Sequence, residues 1–383
     1  MRIERLTTTH FRNLATQALA FSPGVNLLVG ENGQGKTNVL EAIYFFKFGR
    51  SFRAGRDAEV IRLGEPFCRA EVAAVFDDGA RADLAASVER DGGKRVKIDG
   101  EELPRLSDLV GRFPAVLFGP LDLELSGGEP AERRRFVDMV GSMTDRAYID
   151  AARAYRRILN QRNAALKARA NDYELNIWNE RITGAGAELV TRRLAVVAAL
   201  EGEVVAQAGA LGAPYAFSMR YESALLRDRE ALAGGPDGDA SEGAATLADV
   251  YAMELAARQN DERRRGTTLV GPHRDDVVLT LDGRDLRRYG SQGQRRLFAV
   301  LLKLAELSHL ERELREHCVL LLDDVFSEFD DTVSTKLQTL LDGARQVFVT
   351  SPVAVEWASG GAARTYRVSQ GELVGARGPG KPG

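Results

Sequence analysis

Eight consecutive residues, Gly30-Glu31-Asn32-Gly33-Gln34-Gly35-Lys36-Thr37, have the spacing GxxxxGK[ST]. They follow the apolar run Val25 to Val29 and open a helical pattern through Leu40, Ile43 and Tyr44, the strand–loop–helix setting that this chemistry requires. The glycines let backbone N–H groups curl around phosphate oxygens, and the new helix presents its positive end to them. Lys36 would neutralise the β- and γ-phosphate oxygens of a bound nucleotide, and Thr37 would hold Mg²⁺ through its hydroxyl. A bare glycine-rich turn is the competing reading.

Such a loop needs an acidic partner for the metal, and Cys318-Val319-Leu320-Leu321-Leu322-Asp323-Asp324 supplies one. A continuous apolar run reads as a strand covered on both faces, with its carboxylates emerging at the C-terminal edge where α/β proteins bind ligands. Asp323 is the expected metal partner, and Asp324 is expected to polarise the attacking water. Upstream, Gly290-Ser291-Gln292-Gly293-Gln294 precedes a helical stretch from Arg295 to Leu310. Ser291 would be the N-cap, leaving free N–H groups and a positive helix end for an anion.

The elements that position these residues are read from periodicity. Alternation marks strands at Arg2 to Thr8, Gly24 to Val29, Cys68 to Phe76, Arg81 to Arg90 and Lys94 to Ile98. Helical spacing takes over from Glu129 to about Leu200. Tyr148, Ala152, Tyr155, Leu159 and Leu166 form one stripe, and Leu175, Trp178, Ile182, Ala185 and Leu189 form a second. Two antiparallel helices turning near Asn171-Asp172 would bury these stripes. A helix from Leu247 to Arg265 leads to strands at Thr267 to Val270 and Val277 to Leu281. Ala233 to Ala245 reads as a flexible loop and Gly375 to Gly383 as a disordered tail.

Composition bounds the rest. The 383 residues are 44% hydrophobic and 28% charged, with net charge -3. That length suits one large core plus a second domain. Cys68 and Cys318 are the only cysteines and the four histidines are scattered, which speaks against a disulfide framework or a zinc site and for a reducing cytoplasm. No signal peptide and no uncharged apolar run of about 18 residues is present, so no membrane span is expected. The overall charge gives no argument for nucleic acid. Ala131 to Arg169, however, carries ten Arg or Lys against four Asp or Glu. Arg146, Arg153 and Arg157 share one helix face there and could meet DNA phosphates, with Arg133 to Arg135 next in line; a solvated helix surface is the equal alternative.

Read together, these motifs resemble the RecF family of ABC-type ATPases. The resemblance rests on Phe11-Arg12-Asn13, the P-loop, Phe118-Gly119-Pro120, Glu132-Arg133-Arg134-Arg135-Phe136, Gly271-Pro272-His273-Arg274-Asp275-Asp276, Gly290 to Gln294, and Asp323-Asp324-Val325-Phe326-Ser327-Glu328. It implies an α/β fold: an ABC-type ATPase head with mixed sheets (1–125 and 266–383) and an inserted helical arm with an antiparallel helix hairpin (126–265). It also implies binding to DNA at gaps or single-strand/double-strand junctions, an ATP-dependent homodimer with Ser291 across the interface from Lys36, and cooperation with RecO and RecR in recombinase loading. Two departures bear on mechanism. Asp324 stands where relatives in the wider ABC class carry Glu, so hydrolysis should be slow, and Thr350-Ser351 stands where they often carry His. No glutamine lies between Ala115 and Leu123 to form the usual metal-linked loop. The ATP-hydrolysing subunit of a transporter is the main alternative. A GTPase lacks its NKxD motif.

Overall fold

The structure is a computed structural model that describes all residues except 121, 123–124, 228–245, 329–330, 342–345, 354–356, 358–362 and 378–383. The chain forms two compact units: Met1–Leu123, Ala210–Gly212 and Lys303–Gly383 make one, and Glu124–Gly209 with Ala213–Leu302 make the other. Segment 266–302, expected with the head, therefore groups with the second unit.

The first unit holds two six-stranded sheets. One is antiparallel, in the order β2-β1-β4-β5-β6-β7: β1 (Arg2–Thr9), β2 (Gln17–Ala20), β4 (Phe67–Val75), β5 (Arg81–Glu89), β6 (Lys94–Ile98) and β7 (Glu101–Glu102). Its strands alternate buried and exposed residues, as Leu84, Ala86 and Val88 do on β5, because only one face meets the core. The other runs β15-β14-β3-β13-β12-β8, with β3 (Val25–Val29), β8 (Ala115–Phe118), β12 (Val319–Asp323), β13 (Val347–Ser351), β14 (Arg364–Ser369) and β15 (Glu372–Arg377). All its pairings are parallel except β14 with β15. Its central strands β3, β13 and β12 are buried along nearly their whole length because they are covered on both faces, and their sequences are accordingly apolar apart from the buried Asn26, Thr350 and Ser351 and the terminal Asp323. Helix α1 (Lys36–Phe48) touches β5 of one sheet and β8, β12 and β13 of the other. Val39, Leu40, Ala42, Ile43, Phe45 and Phe46 are all buried, so the helix has apolar residues nearly all round.

The second unit is mainly helical: α2 (Pro130–Thr144), α3 (Arg146–Lys167), α4 (Asp172–Leu211), α5 (Leu247–Arg265), α6 (Leu286–Tyr289) and α7 (Gln292–Leu314), of which α4 and α7 have residues in both units. A small antiparallel sheet β11-β10-β9 joins them, with β9 (Phe217–Glu222), β10 (Asp276–Leu281) and β11 (Arg284–Asp285). The last helix among the described residues, α8 (Asp331–Leu341), belongs to the first unit. The α3–α4 hairpin turns where expected, and Asn171 Oδ1 accepts from the Glu174 amide at 2.9 Å. Tyr148, Tyr155, Leu166, Leu175, Ile182 and Leu189 of the two stripes are buried. Gly186 permits the approach of Tyr251, since a Cβ there would lie 2.5 Å from its ring.

Several expectations need correction. The helical stretch from Glu129 is found as expected, with one boundary that was not foreseen: Asp145 caps α3, its side chain accepting from the Ala147 amide at 2.8 Å, and separates it from α2. Thr267 to Val270 form no strand. Their polar groups are taken by side chains instead, the Thr268 amide by Asn163 and the Leu269 amide by Glu262, both at 2.8 Å. Residues 375–377 end β15. The loop expected at 233–245 and the tail from 378 lie outside the described residues. Among the described residues α4 alone is long and apolar enough to cross a membrane, with mean hydropathy 1.5 over its best stretch. In the fold it carries Arg193, paired with Asp138 at 2.9 Å, and buries Leu189, Val190, Val197, Leu200 and Val204.

Candidate nucleotide site

Backbone geometry builds the loop that follows β3. A Cβ on Gly30 would lie 2.2 Å from the Val368 carbonyl oxygen, so no larger residue fits. Gly35, with φ 111°, is the N-cap of α1, and its carbonyl accepts from the amides of Asn38 (3.0 Å) and Val39 (3.2 Å). Lys36 is 8% exposed. Its Nζ donates to the carbonyls of Gly30 (2.5 Å) and Glu31 (2.9 Å). Burial lowers its pKa below the ordinary lysine value, while Asp324 and Asp323 pull the other way.

The sheet brings the distant acidic strand to this loop. Thr37 Oγ1 donates to Asp323 Oδ1 at 2.8 Å, joining residues 286 positions apart. Thr350 Oγ1, from β13, donates to the same oxygen at 2.8 Å and accepts from the Asp324 amide at 2.9 Å. The Thr350 hydroxyl thus holds the two aspartates. Ser351 is buried, its Oγ accepting from the Val353 amide at 3.3 Å. A Cβ on Gly119 would lie 3.5 Å from Asp323 Cβ, so the segment after β8 packs on the acidic strand. Where a glutamine was sought, this segment carries Asp122, which accepts from the Gly119 amide (2.9 Å) and approaches Lys303 at 3.5 Å. Lys303 pairs at 2.5 Å with Glu306, which pairs at 2.8 Å with Lys47 near the end of α1. Burial alone would raise the Glu306 pKa, but Lys303 and Lys47 hold it down to about 2.

A neighbouring group of residues was not assigned a role from sequence. A cavity of ≈ 1020 Å³ beside the loop is lined by Arg12, Asn13, Asn38, Arg53, Arg62 and Gln370, among others. Buried Glu41 on α1 anchors its two foremost cations: Arg12 Nε and Nη2 donate to it at 3.0 and 2.8 Å, and Arg53 Nε and Nη2 at 3.0 and 2.7 Å. Asn13 Nδ2 donates to the Gly33 carbonyl at 3.1 Å. Phe11-Arg12-Asn13 was visible as a motif, but nothing in the local pattern shows that Glu41 gathers the arginines.

Ser291 to Gln294 belong to the second unit. The Gln294 amide donates to Ser291 Oγ (3.2 Å) and the Ser291 amide to Gln294 Oε1 (2.9 Å), a reciprocal capping box at the start of α7. Gln292 and Gly293 are exposed at its tip. In the same unit the ERRRF and GPHRDD segments meet. Arg133 donates to both Asp276 carboxylate oxygens (3.0 and 2.8 Å), and Arg134 donates to the Asp275 carbonyl at 2.5 Å. His273 Nδ1 lies 2.7 Å from Tyr155 Oη, and burial pushes its pKa down to about 4. Arg146, Arg153 and Arg157 are exposed on α3.

Residues 2–372 match the RecF/RecN/SMC N-terminal domain family. The chain belongs to that family. It is 37% identical to the DNA replication and repair protein RecF of Halalkalibacterium halodurans, over 97% of this chain and 99% of that one. With the protein of the same name from Bacillus subtilis it shares 36% identity over 98% and 100% of the two chains. Among solved structures, the recombination mediator protein RecF-ATP of the RecFOR pathway superposes with a TM-score of 0.86 at 29% identity, over 97% of this chain and 96% of that one. An Smc head bound to the C-terminal winged-helix domain of ScpA, at TM-score 0.55 and 14% identity, shares the fold. The expected RecF resemblance and the ABC-type head fold are thereby established, and the P-loop and Asp323 both lie inside the family's span.

Proposed function

We propose that this chain is an ATP-gated DNA-binding switch of recombinational repair: nucleotide closes a homodimer on DNA and slow hydrolysis reopens it. The observation that carries the reading is the hydrogen bond from Thr37 Oγ1 to Asp323 at 2.8 Å beside the glycine loop, two Mg²⁺-type oxygen donors already together. In support, the solved relative is described as RecF-ATP of the RecFOR pathway. Gly30, Glu31, Asn32, Gly33, Gln34, Gly35 and Lys36 would cradle the phosphates, and the Arg12–Arg53 cavity would take the nucleoside. Thr37 and Asp323 would hold Mg²⁺, which when bound neutralises phosphate charge. Asp324 would orient and polarise the attacking water; its shorter side chain fits slow turnover. Ser291, Gln292, Gly293 and Gln294 would cap the γ-phosphate of the partner copy with helix-end N–H groups. DNA with a gap or a single-strand/double-strand junction, RecR and RecO would be the partners, in the cytoplasm.

A transporter subunit fits less well, since the matched family contains RecF, RecN and SMC proteins. The deciding measurement is titration of gapped, junction, duplex and single-stranded DNA at fixed salt, with and without Mg-ATP. Tighter binding with ATP is expected, strongest on the junction substrates. Affinity independent of nucleotide would overturn the switch.

A further inference from the structure

We infer that the tight turn at Gln370–Gly371, near the end of the described chain, is a positioning element of the nucleotide site: it sets the shape of the P-loop and walls the cavity beside it. The inference rests on the nucleotide reading above. Strand β14 runs parallel to β3, with Arg367 opposite Val29, so the two strands reach the top of the sheet together. There β3 opens into the P-loop and β14 turns back into β15 through Gln370 (φ 50°) and Gly371 (φ 81°), two successive left-handed residues as a two-residue hairpin demands.

The turn grips the crest of the P-loop. The Gly371 amide donates to the Gln34 carbonyl at 2.8 Å, and the Gln370 amide donates to Gln34 Oε1 at 2.6 Å. On its other side the Gly371 carbonyl accepts from the Ala15 amide (2.9 Å) and Gln17 Nε2 (3.1 Å), while Gln17 Oε1 accepts from the Leu373 amide (3.3 Å). The packing leaves no slack: a Cβ on Gly371 would lie 1.9 Å from the Asn13 carbonyl oxygen.

The chemical effect follows from the peptide plane. In a trans peptide the C=O of Gln34 and the N–H of Gly35 point in opposite directions. Drawing the Gln34 carbonyl toward the turn therefore turns the Gly35 N–H away from it, the orientation a phosphate cradle needs. Gln370 and Glu372 also line the ≈ 1020 Å³ cavity with Arg12 and Arg53. The hairpin thus acts through the P-loop and makes no claim on the reacting atoms.

The test compares full-length wild type, Gln17→Leu, Gln34→Met and Lys36→Met by titration with a fluorescent ATP analogue, steady-state hydrolysis and thermal melting without nucleotide. Gln17 lies on β2, outside the loop, so its replacement reports the brace alone. Gln17→Leu and Gln34→Met should each weaken nucleotide binding about 3- to 10-fold, the loss expected for one or two hydrogen bonds. KM should rise in step in both, and for Gln17→Leu, which leaves the loop's own residues intact, kcat at saturation and the melting temperature should stay near those of wild type. Wild-type affinity in both variants, with Lys36→Met non-binding, would sink the brace and leave the site standing. Normal binding by Lys36→Met would instead remove the nucleotide reading beneath it. A lowered melting temperature with unchanged KM would make the turn merely structural and overturn the inference.

Discussion

Lys36 has its ammonium on the carbonyls of Gly30 and Glu31, so binding a phosphate is an exchange of partners for a group that is already desolvated. Losing it removes a charge-assisted contact that water cannot replace. Lys36→Met should fold and lose roughly 100-fold or more in ATP affinity; isothermal titration on the folded variant checks it. Asp324 is placed differently. Its backbone sits at φ 52°, a region that Asp and Asn tolerate better than longer residues, and Thr350 holds its amide. Asp324→Asn should keep that turn, bind ATP within about 3-fold of wild type, and lose on the order of 100-fold or more in hydrolysis as the water-polarising charge goes. Equal loss of binding would make Asp324 a metal ligand. The same φ argues that Asp324→Glu would strain the turn, so the shorter carboxylate is matched to its backbone. That match was not legible: the sequence shows two adjacent carboxylates, whereas the left-handed turn between strand and loop is set by β13 packing alongside.

Helix α3 shows what local pattern can and cannot give. Its buried stripe was readable because 3.6-residue periodicity is a local property. The fate of the neighbouring charges was not. Arg133 and Arg134 look like part of one basic run, yet Arg133 is buried against Asp276, 143 positions away. Of Arg133 to Arg135 only Arg135 stays exposed, so Arg146, Arg153 and Arg157, all exposed, remain the first candidates for the DNA surface. Replacing all three with Ala should weaken DNA binding and lower the slope of log K against log salt by about 2 to 3, as counterion release requires; filter binding between low and moderate salt measures it, and an unchanged slope moves the surface elsewhere. Strands β4, β5 and β6 were readable from alternation. Strands β9, β14 and β15 were missed, and each is a strand through its pairing: β9 with β10, β14 with β3 and β15 with β14.

At the scale of the molecule, helices do lie between the P-loop and the acidic strand, as the resemblance implied, but the small sheet β9–β11 was not foreseen, so its grouping with the second unit was hidden. That unit carries Ser291. If ATP is shared between two copies, Ser291→Arg should leave nucleotide binding by the monomer nearly intact while preventing closure, because a bulky cation fills the cap. Sedimentation with Mg-ATP should show wild type shifting to dimer and the variant remaining monomeric; equal dimerisation would exclude the shared site. The strand order has a separate consequence for how the protein comes into being. Strand β3 is early in the chain, but its neighbours β13 and β14 are among the last strands, and Asn26 reaches Val347 across 321 positions. During synthesis the glycine loop therefore emerges long before the strands that flank β3 exist. Closing so long a loop of chain is slow, and the waiting apolar strand is open to mispairing. ATP can lend no stability to the nascent head until β13 and β14 have been made, so chains interrupted before β13 should be insoluble or chaperone-bound, with no capacity for rescue by nucleotide.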